Sequence, residues 1–341
     1  MRLALMIEGQ EGVTWDEWLA LARAAEDHGL ESLFRSDHYT SIIAPGRGSL
    51  DAWATLSALA AVTSRIRLGT MVSPATFRHP SVLARSVTTV DHVSGGRVEL
   101  GMGAGWYELE HRRGGFAFPD VRTRFDLFAE QVEIVVRSWT ETEFDFQGAH
   151  YSLIGQTALP HPLQRPHPPL VLGGGARPRS AALAARFAQE YNTPGATPAQ
   201  CAERRAALDS ACVAAGREPS SLPLSVMTTC VVGSHRADVD RRLRSLLELL
   251  RETREPAEVL ADKPHWLVGT VAEVADRIAG YGSAGVDRVF LQHLDHRDLE
   301  MVALIGEELA PLVTGAGTTD APGTWTERLI CRNPSRNSSC C

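Results

Sequence analysis

Between Arg65 and His111 the chain runs RIRLGTMVSPATFRHPSVLARSVTTVDHVSGGRVELGMGAGWYELEH, and no other stretch restricts the fold as much. The pattern predicts a strand over Ile66–Val72, a helix over Ser81–Ser94 and a second short strand over Arg97–Gly101. Both strands run into small residues, Thr70-Met71-Val72-Ser73-Pro74 after the first and Gly101-Met102-Gly103-Ala104-Gly105 after the second. In a parallel β/α protein, ligands sit at the C-terminal ends of the strands. Glycine there lets a flat ring or a phosphate come close to the backbone. The unit therefore reads as the floor and wall of a cofactor pocket.

The same alternation recurs along the chain. Short apolar runs at Arg2–Ile7, Ser32–Arg35, Leu170–Leu172, Leu224–Val232 and Arg288–Gln292 predict further strands, and one more is inferred around Glu190–Thr193. Amphipathic helical patterns separate them, as at Trp15–His28, where Thr14 and Glu17 form a capping-box signature and Gly29 follows the end. Eight strands linked by right-handed helical crossovers close into a (β/α)8 barrel, and 341 residues with 44% apolar composition suffice to fill one. At Thr140–His167 the alternation breaks: FDFQGAHYSL predicts an inserted β-hairpin turning at Gln147-Gly148, with HPLQRPHPP after it. Such an excursion is commonly a lid or an oligomer contact. Gly233–Trp266 reads as a second insertion, helical and charged. Residues 1–313 form the barrel domain, and 314–341 read as a disordered tail without a periodic apolar face.

A formal charge of −7 argues against nucleic acid and anionic membranes as partners. MRLALMIEGQEG is interrupted by Glu8 before it can serve as a signal peptide, and no stretch approaches the ~20 apolar residues of a membrane span. The expectation is a cytoplasmic protein. The six cysteines lack metal-ligand spacing and read as reduced, non-catalytic thiols; no metal is expected. Only Lys263 is available as a lysine, so an aldolase working through a Schiff base has no candidate in the barrel.

Four groups of residues carry the chemistry. Ser36-Asp37-His38 ends the second strand and directs polar side chains at the barrel mouth; His38 is either a general acid/base or a strand cap paired with Asp37. Thr70, Met71 and Val72, which from pattern alone read equally as a buried strand entering a proline turn, are with Gly103, Ala104 and Trp106 the candidates to line a ring. Gly173-Gly174-Gly175-Ala176-Arg177 opens a helix, and its amides with Arg177 or Arg179 form either a phosphate site or a tight turn. Glu108 and His111 are second-rank candidates, equally readable as solvated helix residues.

Taken together, FRSDHY at Phe34–Tyr39, SRIRLGTMVSPATFRHPSVLA, DHVSGGRVELGMGAGWYELEH, QRPHPPLVLGGG and AGVDRVFLQ resemble the bacterial luciferase-like monooxygenase superfamily, and within it the coenzyme F420-dependent oxidoreductases of actinobacteria. The resemblance implies a TIM barrel carrying its cofactor across the strand ends. It implies hydride transfer between F420 and a small organic substrate, with Asp37 and His38 as catalytic residues and a homodimer as the assembly. It implies a non-prolyl cis peptide at Met71–Val72 behind the ring, and a phosphate at Gly173–Gly175. The alternatives are an FMN-dependent monooxygenase fed by a partner reductase, and a non-catalytic cofactor-binding barrel. In the glucose-6-phosphate dehydrogenases of this group a glutamate proposed as proton donor stands where this chain has Trp106, so the resemblance does not imply sugar-phosphate oxidation by that scheme and leaves the substrate open. Deleting the residues after Thr314 is expected to leave both the melting temperature and the activity unchanged, as measured by thermal melt and turnover; a loss in either would mean that the tail docks.

Overall fold

A computed structural model describes residues 1–315, and the tail expectation, from residue 316 on, lies outside the described residues. Eight parallel strands form the barrel: β1 Arg2–Ile7, β2 Ser32–Arg35, β3 Arg67–Thr70, β4 Val98–Gly103, β5 Leu170–Gly173, β6 Glu190–Pro194, β7 Leu224–Gly233 and β8 Arg288–Gln292. Each pairs with its successor, and β8 returns to β1 with Leu3 opposite Val289, so no barrel edge is left open. The strands are short and nearly continuously buried, as expected for a sheet covered by helices on one face and by its own interior on the other.

The helices begin where the sequence supplies caps. Helix α1, Trp15–Asp27, opens with the expected box: Glu17 N donates to Thr14 Oγ1, and Thr14 N donates to Glu17 Oε2 at 2.8 Å. Asp51 caps α2, Ala52–Val62, and α3 spans Pro80–Ser94 with proline in its first turn. After β4 come a short α4, Glu108–Gly114, and the long α5, Val121–Thr140; α6, Pro178–Phe187, follows β5. The inserted hairpin pairs Glu143–Gln147 with Ser152–Thr157 and packs on α5 through Phe144, Leu153 and Ile134.

Alternation along the strands sorts side chains into layers inside the barrel. At the base Arg288 lies between two carboxylates: its Nη2 donates to Glu99 Oε2 at 2.9 Å and its Nε to Glu190 Oε1 at 3.2 Å, while Arg67 Nε donates to Glu99 Oε1 at 2.6 Å. Burial alone would raise the Glu99 carboxyl, but Arg288, Arg67 and Arg2 outweigh it and hold the group well below the ordinary carboxylate range. Above this layer Phe34 and Phe290 meet edge to face with centroids 4.9 Å apart, and both rings face the Arg288 guanidinium. A Cβ at Gly69 would stand 2.3 Å from the Phe34 ring, so the wide aromatic requires the glycine opposite.

Three features differ from the sequence reading. The third strand stops at Thr70, two residues short of the predicted end. The Met71–Val72 peptide is cis, as the resemblance implied, and Ser73–Pro74 then re-pairs with Met102–Gly103. The glycines of β4 accommodate that same segment: a Cβ at Gly101 would lie 2.0 Å from the Thr70 carbonyl oxygen, and one at Gly103 would lie 2.7 Å from Val72 Cγ2. They admit the chain's own strand end, whatever else they admit. Finally, Leu267–Thr270, unpredicted, pairs with the protruding end of β7 at Cys230–Gly233, after the helices Arg236–Leu249 and Pro256–Asp262.

Arg288→Met should cost about 3–5 kcal/mol, because Glu190 is left without this cation and Glu99 with only its remaining arginines. Without Arg288 the Glu99 carboxyl would take up a proton more readily in the folded state, so the deficit should shrink as pH falls. Denaturant melts of both proteins across a pH series check both effects.

Candidate active site

Two and three residues past the end of β2, Asp37 and His38 stand side by side but have different partners. Asp37 is buried and accepts hydrogen bonds from Ser73 Oγ at 2.7 Å, Arg78 Nη1 at 2.5 Å and Arg78 Nη2 at 3.2 Å. Arg78 also reaches Asp51 Oδ2 at 2.7 Å, and Trp53 Nε1 donates to Ser73 Oγ at 3.0 Å. Asp37 therefore anchors the segment after the cis peptide, and its hydrogen bonds do not go to His38.

His38 is held by Glu110. Its Nδ1 lies 3.0 and 3.2 Å from the two carboxylate oxygens, and Glu110 also accepts from the backbone N–H groups of Tyr39 at 2.6 Å and Thr40 at 3.1 Å. A carboxylate only accepts, so Nδ1 carries the proton and the neutral ring presents a bare Nε2. That nitrogen has no partner among the described residues. Burial disfavours the charged imidazolium. The hydrogen bond and charge of Glu110, with Glu8 and Asp37 behind it, outweigh burial and hold His38 above its ordinary value of 6.5. Glu110 itself is 1% exposed and His38 16% by side chain, so solvent screens the pair little.

The sequence reading passed over Glu110 in favour of its neighbours. Glu108 is exposed and has no part in the site. His111 is buried but fully bonded, donating from Nδ1 to the Tyr107 carbonyl at 2.8 Å with Nε2 2.5 Å from Thr76 Oγ1. A usable signal was present: Tyr107, Glu110 and His111 share one face at helical spacing, and the exposed Glu108 and Arg112 do not.

The ring candidates gather around the same opening. Thr70 lies beneath it and donates from Oγ1 to the Gly101 carbonyl at 3.0 Å, with Met71 and Val72 against the barrel interior. Gly103 and Ala104 end β4, and Trp106 stands 62% exposed, stacked on Tyr107 with its centroid 5.8 Å from that of His38. An exposed indole beside a histidine offers a flat apolar surface to a planar ligand.

The glycine run after β5 turns out to be partly occupied by the fold itself. Gly174 N donates to the Asn192 carbonyl, and Ala176 N donates to the Tyr191 hydroxyl at 2.9 Å. Gly174 has φ +145°, a conformation that glycine adopts freely. Gly175 faces open space, and its amide, with those of Arg177, Arg179 and Ser180 at the start of α6, has no partner among the described residues. Arg179 is drawn off by Asp126, whereas Arg177 is exposed and forms no ion pair among the described residues. Gly173, which follows Leu172 in β5, has no such demand from the fold, since a Cβ there would stand at ordinary contact distance from the Asn192 carbonyl and Val72. No group of three or more His, Cys, Asp or Glu side chains among the described residues could hold a metal ion, and no described helix is long and apolar enough to cross a membrane.

The sequence model of the luciferase-like monooxygenase family matches residues 2–288. An F420-dependent glucose-6-phosphate dehydrogenase of Nakamurella multipartita is 29% identical over 310 residues, covering 85% of this chain and 90% of that protein. Among solved structures, an F420-dependent secondary alcohol dehydrogenase bound to an F420-acetone adduct superposes with a TM-score of 0.77 at 21% identity, covering 92% of this chain and 98% of that one. A monooxygenase of Streptomyces bottropensis superposes with a TM-score of 0.75 at 25% identity, covering 91% and 99%.

Replacing Glu110 by Gln keeps an acceptor for the Tyr39 and Thr40 amides but removes the charge beside His38. The imidazole should titrate at lower pH than in the parent, as read from its ring-proton NMR shifts. The sign for stability follows. A raised histidine pKa stabilises the fold below the unfolded value near 6.5, and that contribution fades as pH rises through the folded value. The variant should lose most stability on the acid side and least at alkaline pH.

Proposed function

The chain belongs to the luciferase-like monooxygenase family, and from that premise we propose that it is an F420-dependent oxidoreductase of a small organic alcohol or carbonyl compound. The observation that carries the reading is the oriented pair of His38 and Glu110, which presents an unpartnered Nε2 to the barrel mouth. The similarity to two F420-dependent dehydrogenases supports the deazaflavin over FMN.

The residues fit such a cofactor. The open space before Gly175, the unpartnered amides at the start of α6 and the free Arg177 suit a phosphate. The Met71–Val72 segment, Gly103, Ala104 and the exposed Trp106 suit the faces of a ring. When bound, F420 supplies a two-electron carrier that accepts or delivers hydride.

The chain itself supplies position and proton management. His38 Nε2 takes the proton of a substrate hydroxyl in the oxidative direction, or returns one to a carbonyl oxygen in the other. Glu110 keeps the imidazole in the required tautomer and stabilises the imidazolium that forms, the role of a buried carboxylate behind a catalytic histidine. Asp37 is a positioning residue: through Ser73 and Arg78 it fixes the strand end against which the ring would lie. A partner reductase would be needed only for the FMN alternative.

Titrating the purified protein with oxidised F420 and with FMN side by side separates the two cofactors; tight F420 binding with weak FMN binding is expected, and the reverse would replace this reading with the monooxygenase one. His38→Ala should leave F420 affinity nearly unchanged while lowering turnover by about two to four orders of magnitude, the usual worth of a positioned acid or base. Undiminished turnover would remove His38 from the chemistry.

A further inference from the structure

Most carboxylates near the rim of the barrel are already spent. Asp37 is paired with Arg78, Glu110 serves His38 and two amides, and Glu11 accepts from Ser41 Oγ, the Ile42 amide and Arg47. Glu8 differs. It follows β1 in extended backbone, one step beyond Ala4 and Met6, which point into the barrel, so its side chain continues their row at the mouth.

Its hydrogen bonds come from neutral amides. Gln292, at the end of β8, donates from Nε2 to Glu8 Oε1 at 2.6 Å, and Gln10 donates from Nε2 to Glu8 Oε2 at 2.9 Å. Gln292 is in turn held by Thr229 Oγ1 at 2.8 Å, and Gln10 Oε1 accepts from Ser36 Oγ at 2.5 Å. Glu8 forms no ion pair among the described residues. A carboxylate has room for about four hydrogen bonds, and two are made. The result is a rigidly held negative charge with spare acceptor capacity, close enough to His38 to bear on its ionisation. The other mouth positions in this row, Met71, Gly103, Thr229 and Gln292, bring no cation to offset it.

We propose that Glu8, braced by Gln292 and Gln10, is a second polar subsite of the mouth that accepts a hydrogen bond from a hydroxyl or ammonium group of the substrate and repels anionic substrates. The inference rests on the reading of the mouth as a substrate site and narrows its substrate class to neutral polyols, hydroxy compounds and amino alcohols. Phosphate esters and carboxylates fall outside that class. A fixed charge next to the reacting group discriminates by repulsion as much as by attraction.

The test uses three ring compounds of one shape: cyclohexane diol, aminocyclohexanol and hydroxycyclohexane carboxylate. Their binding to the protein, with and without F420, is measured by ligand-observed NMR up to the solubility limit of each. The parent should bind the diol or the amino alcohol about tenfold or more tightly than the carboxylate, the worth of one hydrogen bond to a charged group. Whichever of the two binds more tightly identifies the donor. Glu8→Gln should abolish that ratio. Gln292→Met, which removes one brace and keeps the charge, should retain it and control for a purely structural effect. A ratio unaltered in a folded Glu8→Gln protein, or no binding of either donor compound to the parent, overturns the proposal. F420 binding in the same samples keeps the two readings apart. Glu8-dependent discrimination without F420 binding would sink the cofactor assignment alone, and F420 binding without Glu8-dependent discrimination would sink the subsite alone.

Discussion

A guanidinium buried at the base of the barrel is the interaction on which the rest of the architecture leans. Arg288 has to leave water for its strand to join the sheet, and that desolvation is costly unless carboxylates meet it. Glu99 and Glu190 do so from β4 and β6, strands that do not adjoin β8, so the ion pairs span the lumen and tie together strands that hydrogen bonding alone leaves apart. The polar cluster also closes the N-terminal end. With Phe34 and Phe290 stacked above it, the interior is solid up to the level of Met6 and Met71, and a ligand has only the C-terminal mouth to enter.

At that mouth, two carboxylates in similar surroundings divide the labour according to their partners. Asp37 meets a permanent cation and a hydroxyl and becomes part of the scaffold, fixing Ser73 and hence the end of the third strand. Glu110 meets a titratable ring and two amides and fixes the orientation of the imidazole. A cation such as Arg78 beside His38 in place of Glu110 would instead raise the cost of its charged form. Chemistry at one residue thus depends on which neighbour each acid finds.

The barrel was legible because its signals are local. Short apolar runs alternating with amphipathic helices need no tertiary information, and even the weak strand at Glu190–Pro194 follows from the need to close eight. What escaped depends on contacts between distant segments. Leu267–Thr270 is a four-residue run whose one strand partner among the described residues is the overhang of β7, and its Thr270 also caps the next helix, so its pattern is ambiguous. Glu110 is one acid among several in YELEHRR, and only the packing of α4 against the residues after β2 buries it. Gly101 and Gly103 looked like places for a ligand because nothing in the sequence says that Thr70 and Val72 come to rest there. His38 was picked out by its place after the second strand, whereas the cis Met71–Val72 bond was found through family resemblance rather than residue physics.

The closed base also bears on timing. His38 Nδ1 faces a fully enclosed carboxylate, and no route leads downward past the aromatic pair, so Nε2 is the single place where the ring trades protons with bulk water. A ligand that fills the mouth cuts that exchange. The ionisation state present at the moment of binding is then carried through the turnover, neither corrected nor replenished until the site opens again. On the proposed role of His38, acidity of the medium would select which molecules of protein begin a cycle, so kcat/KM should follow the titration of His38 while kcat stays flat across it.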